Sequence, residues 1–182
     1  MKRTYNTKHK RSILINDPSM TAWGYVVMSL DGTLLKQGCI KTTPADKMLR
    51  IRKGDDFVRR IGEVNNVLID TLIKYNVCYI ISELPHGSQS AISAKMLGAV
   101  VGMIKAIGDC FDLGIEWYSE GDCKMCVLGK RAAAKKEMIN AIDKLYKVLW
   151  TGTGYKDEAV ADALAVYHTA TKNSNTLKLL KS

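Results

Sequence analysis

The chain has 182 residues, 47% hydrophobic and 25% charged, and its 27 lysines and arginines outnumber its 18 aspartates and glutamates for a net charge of +9. That length and balance suit a single domain with a real core, and the basic excess favours a phosphate backbone or an anionic surface as partner. No apolar run reaches the roughly 20 residues of a membrane span, so no membrane partner is expected, and five cysteines, an odd number in a core-bearing chain, point to reduced thiols and a cytoplasmic setting.

Residues 1–11, MKRTYNTKHKR, read as a basic arm without the apolar core of a secretion signal. Residues 12–16 predict a first strand, Ala22 to Leu30 a second and Leu34 to Ile40 a third, with Asp31-Gly32 as a hairpin turn between the last two. Apolar residues at Met48, Ile51, Phe57, Val58, Ile61, Val64, Leu68 and Leu72 then predict a long helix. The unbroken run 77–81 fits a strand buried on both faces. Residues 90–109 predict a helix, 114–118 a strand, and 132–149 and 157–171 two further helices. The order β-β-β-α-β-α-β-α-α implies a mixed sheet flanked by helices, occupying 12–171 as one domain and leaving 172–182 as a basic tail. Ala94, Gly98 and Gly102 recur every four residues. That stripe of small side chains predicts close packing of the helix on the sheet, with a subunit interface as the alternative. Cys123-Lys-Met-Cys126 has metal-ligand spacing but no second Cys or His pair, so no zinc site is expected. The phosphate loop G-x-x-x-x-G-K-[ST] is absent, and Gly152-Thr-Gly154 reads as a connector.

Three acids stand out by position. Asp17 ends the first apolar run, Glu83 ends the run 77–81, and Asp162 sits among Ala161, Ala163, Leu164 and Val166 in the last predicted helix. Singly they read as a turn residue, a loop cap and a helix charge. Gathered at one point they repel one another, and such a cluster persists when a cation neutralises it. Magnesium takes oxygen ligands and keeps several waters, so a few carboxylates and a substrate phosphate suffice. Two ions about 4 Å apart activate a water and stabilise a leaving oxygen. In a basic chain this predicts metal-dependent hydrolysis of a polyanion.

The same residues carry a family resemblance. Ile13-Leu-Ile-Asn-Asp-Pro-Ser-Met-Thr-Ala-Trp-Gly-Tyr-Val-Val27 resembles the first motif of RuvC-type Holliday junction resolvases, and Ile80-Ile-Ser-Glu83 resembles the second acidic motif. Leu97-Gly-Ala-Val-Val-Gly102, Leu128-Gly-Lys-Arg-Ala-Ala-Ala-Lys135 with Lys124 upstream, and Ala161-Asp-Ala-Leu-Ala-Val166 resemble the helix, lysine segment and last acidic motif that follow. The likeness spans roughly residues 12 to 170 and is nearest the phage-encoded branch, with its Asp-Pro-Ser and Gly-Ser-Gln-Ser segments.

The resemblance implies an RNase H-like, five-stranded mixed sheet, three antiparallel strands followed by parallel ones. It implies a homodimer that nicks four-way DNA junctions symmetrically with Mg²⁺, two ions per site, or Mn²⁺. Asp17, Glu83 and Asp162 become metal ligands. Lys124 and Lys135 meet DNA phosphate or transition-state charge, and Lys130, Arg131 and Lys136 add phosphate contacts. His86 stands where some relatives place an aromatic wedge, with Ser88 and Gln89 beside it as DNA contacts. A second basic stripe runs through Lys47, Arg50, Arg52, Lys53, Arg59 and Arg60. The family's fourth ligand lies three residues before the last Asp, which here is Ala159. Glu158 lies about 40° round a helix from Asp162 and is expected to replace it, whereas Asp157, about 140° away, is expected to cap the helix. A non-catalytic junction binder on the same fold and a broader branched or flap DNA nuclease are the alternatives.

Overall fold

The computed structural model describes residues 10–87 and 90–181. Five strands, β1 (Ser12–Asp17), β2 (Ala22–Ser29), β3 (Leu34–Lys41), β4 (Val77–Leu84) and β5 (Gly114–Ser119), form one sheet in the order β3-β2-β1-β4-β5. The pairs β1–β2 and β2–β3 are antiparallel, and β1–β4 and β4–β5 are parallel. The helices are α1 (Lys53–Lys74), α2 (Ala91–Cys110), α3 (Glu120–Leu128), α4 (Lys135–Leu145), α5 (Gly154–Asn173) and α6 (Asn175–Lys181). This is the mixed sheet flanked by helices expected from the element order, with the three antiparallel and then parallel strands that the resemblance implied.

Alternation along the strands divides the core in two. Ile13, Ile15, Val26, Met28, Tyr79 and Ile81 face α5, with α3 and α4 beyond it. Leu14, Trp23, Tyr25, Val27 and Ile80 face α1 and α2. Helix α5 is layered between the sheet and α3–α4, and this explains its burial of Ala159, Ala161, Ala163, Ala165 and Ala170. Small side chains let it approach. The closest approach is at Gly24 of β2, where a Cβ would stand 2.0 Å from the carbonyl oxygen of Ala159.

Several boundaries differ from the sequence expectation. Helix α1 begins at Lys53, because Arg50 adopts a left-handed φ of 49° and separates a short 3-10 turn at Lys47–Leu49. Met48 and Ile51 are therefore exposed rather than part of the helical face. The basic stripe also breaks. Arg60 is buried, donating from Nε to Thr42 Oγ1 at 2.8 Å and from Nη2 to the Met20 carbonyl at 2.8 Å, so it secures the turn after Asp17. Arg52 pairs with Asp55, and Arg59 pairs with Asp56 and Glu63. Helix α4 stops at Leu145, since Tyr146, Val148 and Trp150 all turn towards the core, a period-two pattern only an extended segment satisfies. Residues 172–181 are not a tail. They finish α5 and form α6, with Leu177 buried, and Ser174 at their junction donates to Glu116 of β5 alongside Tyr79 and Tyr118. The basic arm falls almost wholly outside the described residues.

Helix α2 departs from the expected packing. Among the described residues it is the one helix long and apolar enough, by length and composition, to cross a membrane, with a mean hydropathy of 1.5. It buries Val100, Ile104, Ile107 and Gly108, with Met96 and Met103 packed partly against the same core. Ala94, Gly98 and Gly102 are exposed, and a Cβ at either glycine would meet nothing within 4 Å, so the small-residue stripe faces away from the sheet.

The contrast between glycines is measurable. Gly24→Ala drives a Cβ into the α5 backbone and is expected to cost about 3 kcal/mol or more, whereas Gly62→Ala, where the added Cβ meets nothing within 4 Å in α1, is expected to gain about 0.5–1 kcal/mol. Urea unfolding of the two variants checks both signs.

Candidate active site

Asp17 follows Ile13 and Ile15 on the α5 face of β1, and Glu83 follows Tyr79 and Ile81 on the same face of β4. The parallel pairing of Asn16 with Ser82 sets these two acids side by side at the carboxyl ends of adjacent strands. Asp162 comes from α5, one turn beyond the contact of Ala159 with Gly24. The three therefore lie near one another at the same end of the sheet.

The electrostatics show that proximity. Burial first, then the charges of Glu83, Asp162 and Glu120, push the Asp17 carboxyl well above its ordinary range, with Lys135 opposing. Glu83 is raised to about 8 by burial and by Asp162 and Glu120, and Asp162 to about 6 by burial and by Glu120 and Glu158. Among the described residues, no group of three or more His, Cys, Asp or Glu side chains is close enough to hold a metal ion by itself. The donor set nonetheless fits a hard cation that completes its shell with water and phosphate oxygens: it is all oxygen, half-buried and mutually repulsive.

Three consecutive residues at the start of α5 meet three different fates. Asp157 is buried and accepts from Thr151 N and Thr151 Oγ1, both at 2.8 Å, so it ties the preceding loop rather than capping the helix. Glu158 points to the pocket side, accepts from Lys135 Nζ at 2.6 Å and acts on Asp162. Ala159 is 4% exposed, with its backbone carbonyl set against Gly24.

Lys135 thus reaches the pocket rim, and Lys124 does so from α3, where its ammonium acts on Glu83 and Asp162. Lys130 pairs instead with Glu137, at 2.9 Å. Arg131 and Lys136 are exposed, Arg131 lying alongside Gly121. His86 is exposed, with Nε2 4.0 Å from Glu120 Oε2. Ser88 and Gln89 lie outside the described residues. Cys123 is a buried core thiol whose pKa burial pushes up to about 12, so it is no nucleophile.

Glu120 was not picked out from the sequence, nor was α3. Ser119 caps that helix by accepting from the Asp122 N–H at 3.1 Å, and the Ser-x-x-Asp pattern was the available signal. Because β5 lies parallel beside β4, its end delivers Glu120 to the same edge of the sheet as Glu83.

A mixed sheet in this order, with acids ending β1 and β4 and a third acid on the helix crossing them, has the architecture that the sequence resemblance implied. No family model matches the chain. It is similar to the crossover junction endodeoxyribonuclease RuvC of Shewanella woodyi (24% identical over 161 residues, 87% of each chain) and of Chlorobium phaeobacteroides (26% over 153 residues, 82% of this chain and 75% of that one). Thermus thermophilus RuvC superposes with a TM-score of 0.68 at 18% identity, covering 91% of this chain and 96% of that one. T. thermophilus RuvC bound to a Holliday junction gives 0.68 at 19%, covering 88% and 92%. The yeast mitochondrial resolvase Ydc2 gives 0.59 at 12%, covering 98% and 87%. The resemblance to RuvC-type resolvases therefore holds along most of the chain and in its fold.

The raised acids set a pH dependence. Glu83 and Asp162 shift from ordinary values of 4.5 and 3.8 to about 8 and 6, so between these limits the folded protein binds more protons than the unfolded one. Stability of the chelator-treated protein is then expected to fall as pH rises from about 4 to 8, by about 2–4 °C in Tm per kcal/mol lost for a chain of this size. Thermal unfolding across this range checks it, and Glu83→Gln should flatten the slope.

Proposed function

We propose that the protein is a crossover junction endodeoxyribonuclease that resolves four-way and related branched DNA by metal-dependent hydrolysis, acting in the cytoplasm. The observation that carries this reading is the mutual electrostatic contact of Asp17, Glu83 and Asp162 at the carboxyl ends of β1 and β4. The RuvC relatives, matched over most of their length, support the substrate class.

Asp17, Glu83, Glu158 and Asp162 would hold the cations, Mg²⁺ in the first instance and Mn²⁺ as a substitute. Two such ions, when bound, supply an activated water and charge stabilisation for the leaving oxygen. The remaining work falls to the chain. The carboxylates orient the cleft by their fixed places on two strands and a packed helix. Lys135 and Lys124 bring positive charge to the phosphate that the acids alone would repel. Lys130, Arg131 and Lys136 extend that charge along the strand, holding phosphate without reading bases. His86, with Ser88 and Gln89 after it, is the group nearest the junction's branch in this reading, its imidazole able to stack on a base. Among the described residues no side-chain nucleophile stands beside these acids, so direct attack by water, without a covalent enzyme intermediate, is the course this reading expects.

A homodimer completes the reading. The exposed stripe Ala94–Gly98–Gly102 on an apolar, largely uncovered helix supports a second copy packing there about a two-fold axis. Two pockets then meet opposing strands of a symmetric junction.

With Mg²⁺ the protein is expected to nick a synthetic four-way junction. Asp17→Asn should lower the rate at least about 10³-fold while leaving junction affinity within about threefold, as expected for charge acting mainly in the transition state. Glu158→Ala should slow cutting more than it lowers Tm, and Asp157→Ala the reverse. Binding without cutting at every Mg²⁺ or Mn²⁺ level would favour a non-catalytic junction protein, and equal cutting of flaps and three-way DNA a broader nuclease. Gly98→Asp is expected to shift the protein towards monomer in sedimentation velocity.

A further inference from the structure

Three lysines on the pocket side of the molecule each carry a glutamate partner: Lys124 with Glu120, Lys130 with Glu137 and Lys135 with Glu158. The first pair differs from the others. The Lys124 side chain is only 26% exposed, against 51% for Lys130 and 76% for Lys135, so it is lodged in place. Both of its members act on Glu83 as well as Asp162, whereas Lys135 and Glu158 act together on Asp162 alone. Glu120 acts on Asp17, Glu83 and Asp162, and Lys124 acts on Glu83 and Asp162. Glu120 stands one helical turn before Lys124 on α3, the favourable order for a Glu–Lys pair and the favourable end of the helix for a carboxylate.

Resting on the nuclease reading above, we infer that Glu120 is a positioning residue: its carboxylate holds the Lys124 ammonium at the rim of the Asp17–Glu83–Asp162 pocket, where it meets the phosphate of an entering strand, and keeps it from lying down on the acids themselves. A lysine stem is long and flexible, and its ammonium seeks the nearest uncompensated negative charge. With Glu120 neutralised, that charge is Glu83 and Asp162. The ammonium would then cover the oxygens that must face a cation, and the rim would lose the positive charge. Glu120 thus acts through Lys124, and its second oxygen lies towards His86 on the outer side.

The test has two arms. In single-turnover cleavage of a four-way junction with saturating protein and Mg²⁺, Glu120→Gln is expected to lower the rate about tenfold with junction Kd within twofold. Glu120→Asp should recover part of the loss, and Glu120→Gln should cost nothing further in a Lys124→Met background. A Glu120→Gln rate within twofold of wild type overturns the inference. So does a multiplicative loss in the double variant, because that would mean Glu120 acts on the site directly. The second arm needs no cleavage. Acetylation of Lys124 by acetic anhydride, followed by peptide mass spectrometry against Lys136 in the same sample, should quicken severalfold in Glu120→Gln, since the carboxylate keeps the amine protonated. Unchanged Lys124 acetylation overturns the inference. A wild-type protein that binds junctions but never cuts them would instead remove the nuclease reading, leaving acetylation to decide whether Glu120 holds Lys124.

Discussion

Helix α5 can lie against the sheet at one depth and in one register because Gly24 offers no side chain where the Ala159 carbonyl passes. The rest of the pocket follows from that contact. Asp162 is one turn farther along a helix with no freedom to slide, and it hangs over the ends of β1 and β4, where strand pairing has already aligned Asp17 and Glu83. The alanines of α5 belong to the same arrangement, since a helix wedged between a sheet and two other helices has room for little else.

The resulting pocket is electrostatically uncomfortable by construction. Three carboxyl groups are drawn out of water towards one another, and a fourth and fifth, Glu158 and Glu120, stand at its edge with their charge shared by lysines. A fold tolerates such a centre when packing elsewhere over-determines the backbone. Here β1 is buried on both faces, Arg60 pins the turn after Asp17, and Asp157 ties the loop before α5. The three acids are half-buried, and the lysine side chains beside them range from 26% exposed at Lys124 to 76% at Lys135.

Much of this was legible in the sequence because the signals were strong and local. The alternating and unbroken apolar runs marked all five strands, the Asp-Gly turn marked the hairpin, and the places of Asp17, Glu83 and Asp162 relative to those runs set them at one edge. What escaped had weak periodicity or depended on tertiary contact. Ser119-Glu-Gly-Asp carries a cap but no amphipathic stripe, so α3 and Glu120 went unseen. The segment 146–150 is apolar enough to extend a helix, and only the buried positions of Tyr146, Val148 and Trp150 reveal it as extended. Spacing alone could not say which face of α2 its glycines occupy, and they look outward. The polar tail at 172 became a helix through the hydroxyls gathered on Glu116.

Consider finally the run Asp157-Glu158-Ala159. The helix is indexed at both ends of this tripeptide, by the strap to Thr151 on one side and by the glycine notch on the other, so a change at either anchor shifts the turn that carries Asp162. Between these two anchors, Glu158 is the one side chain of the three that reaches another helix, accepting from Lys135 Nζ at 2.6 Å.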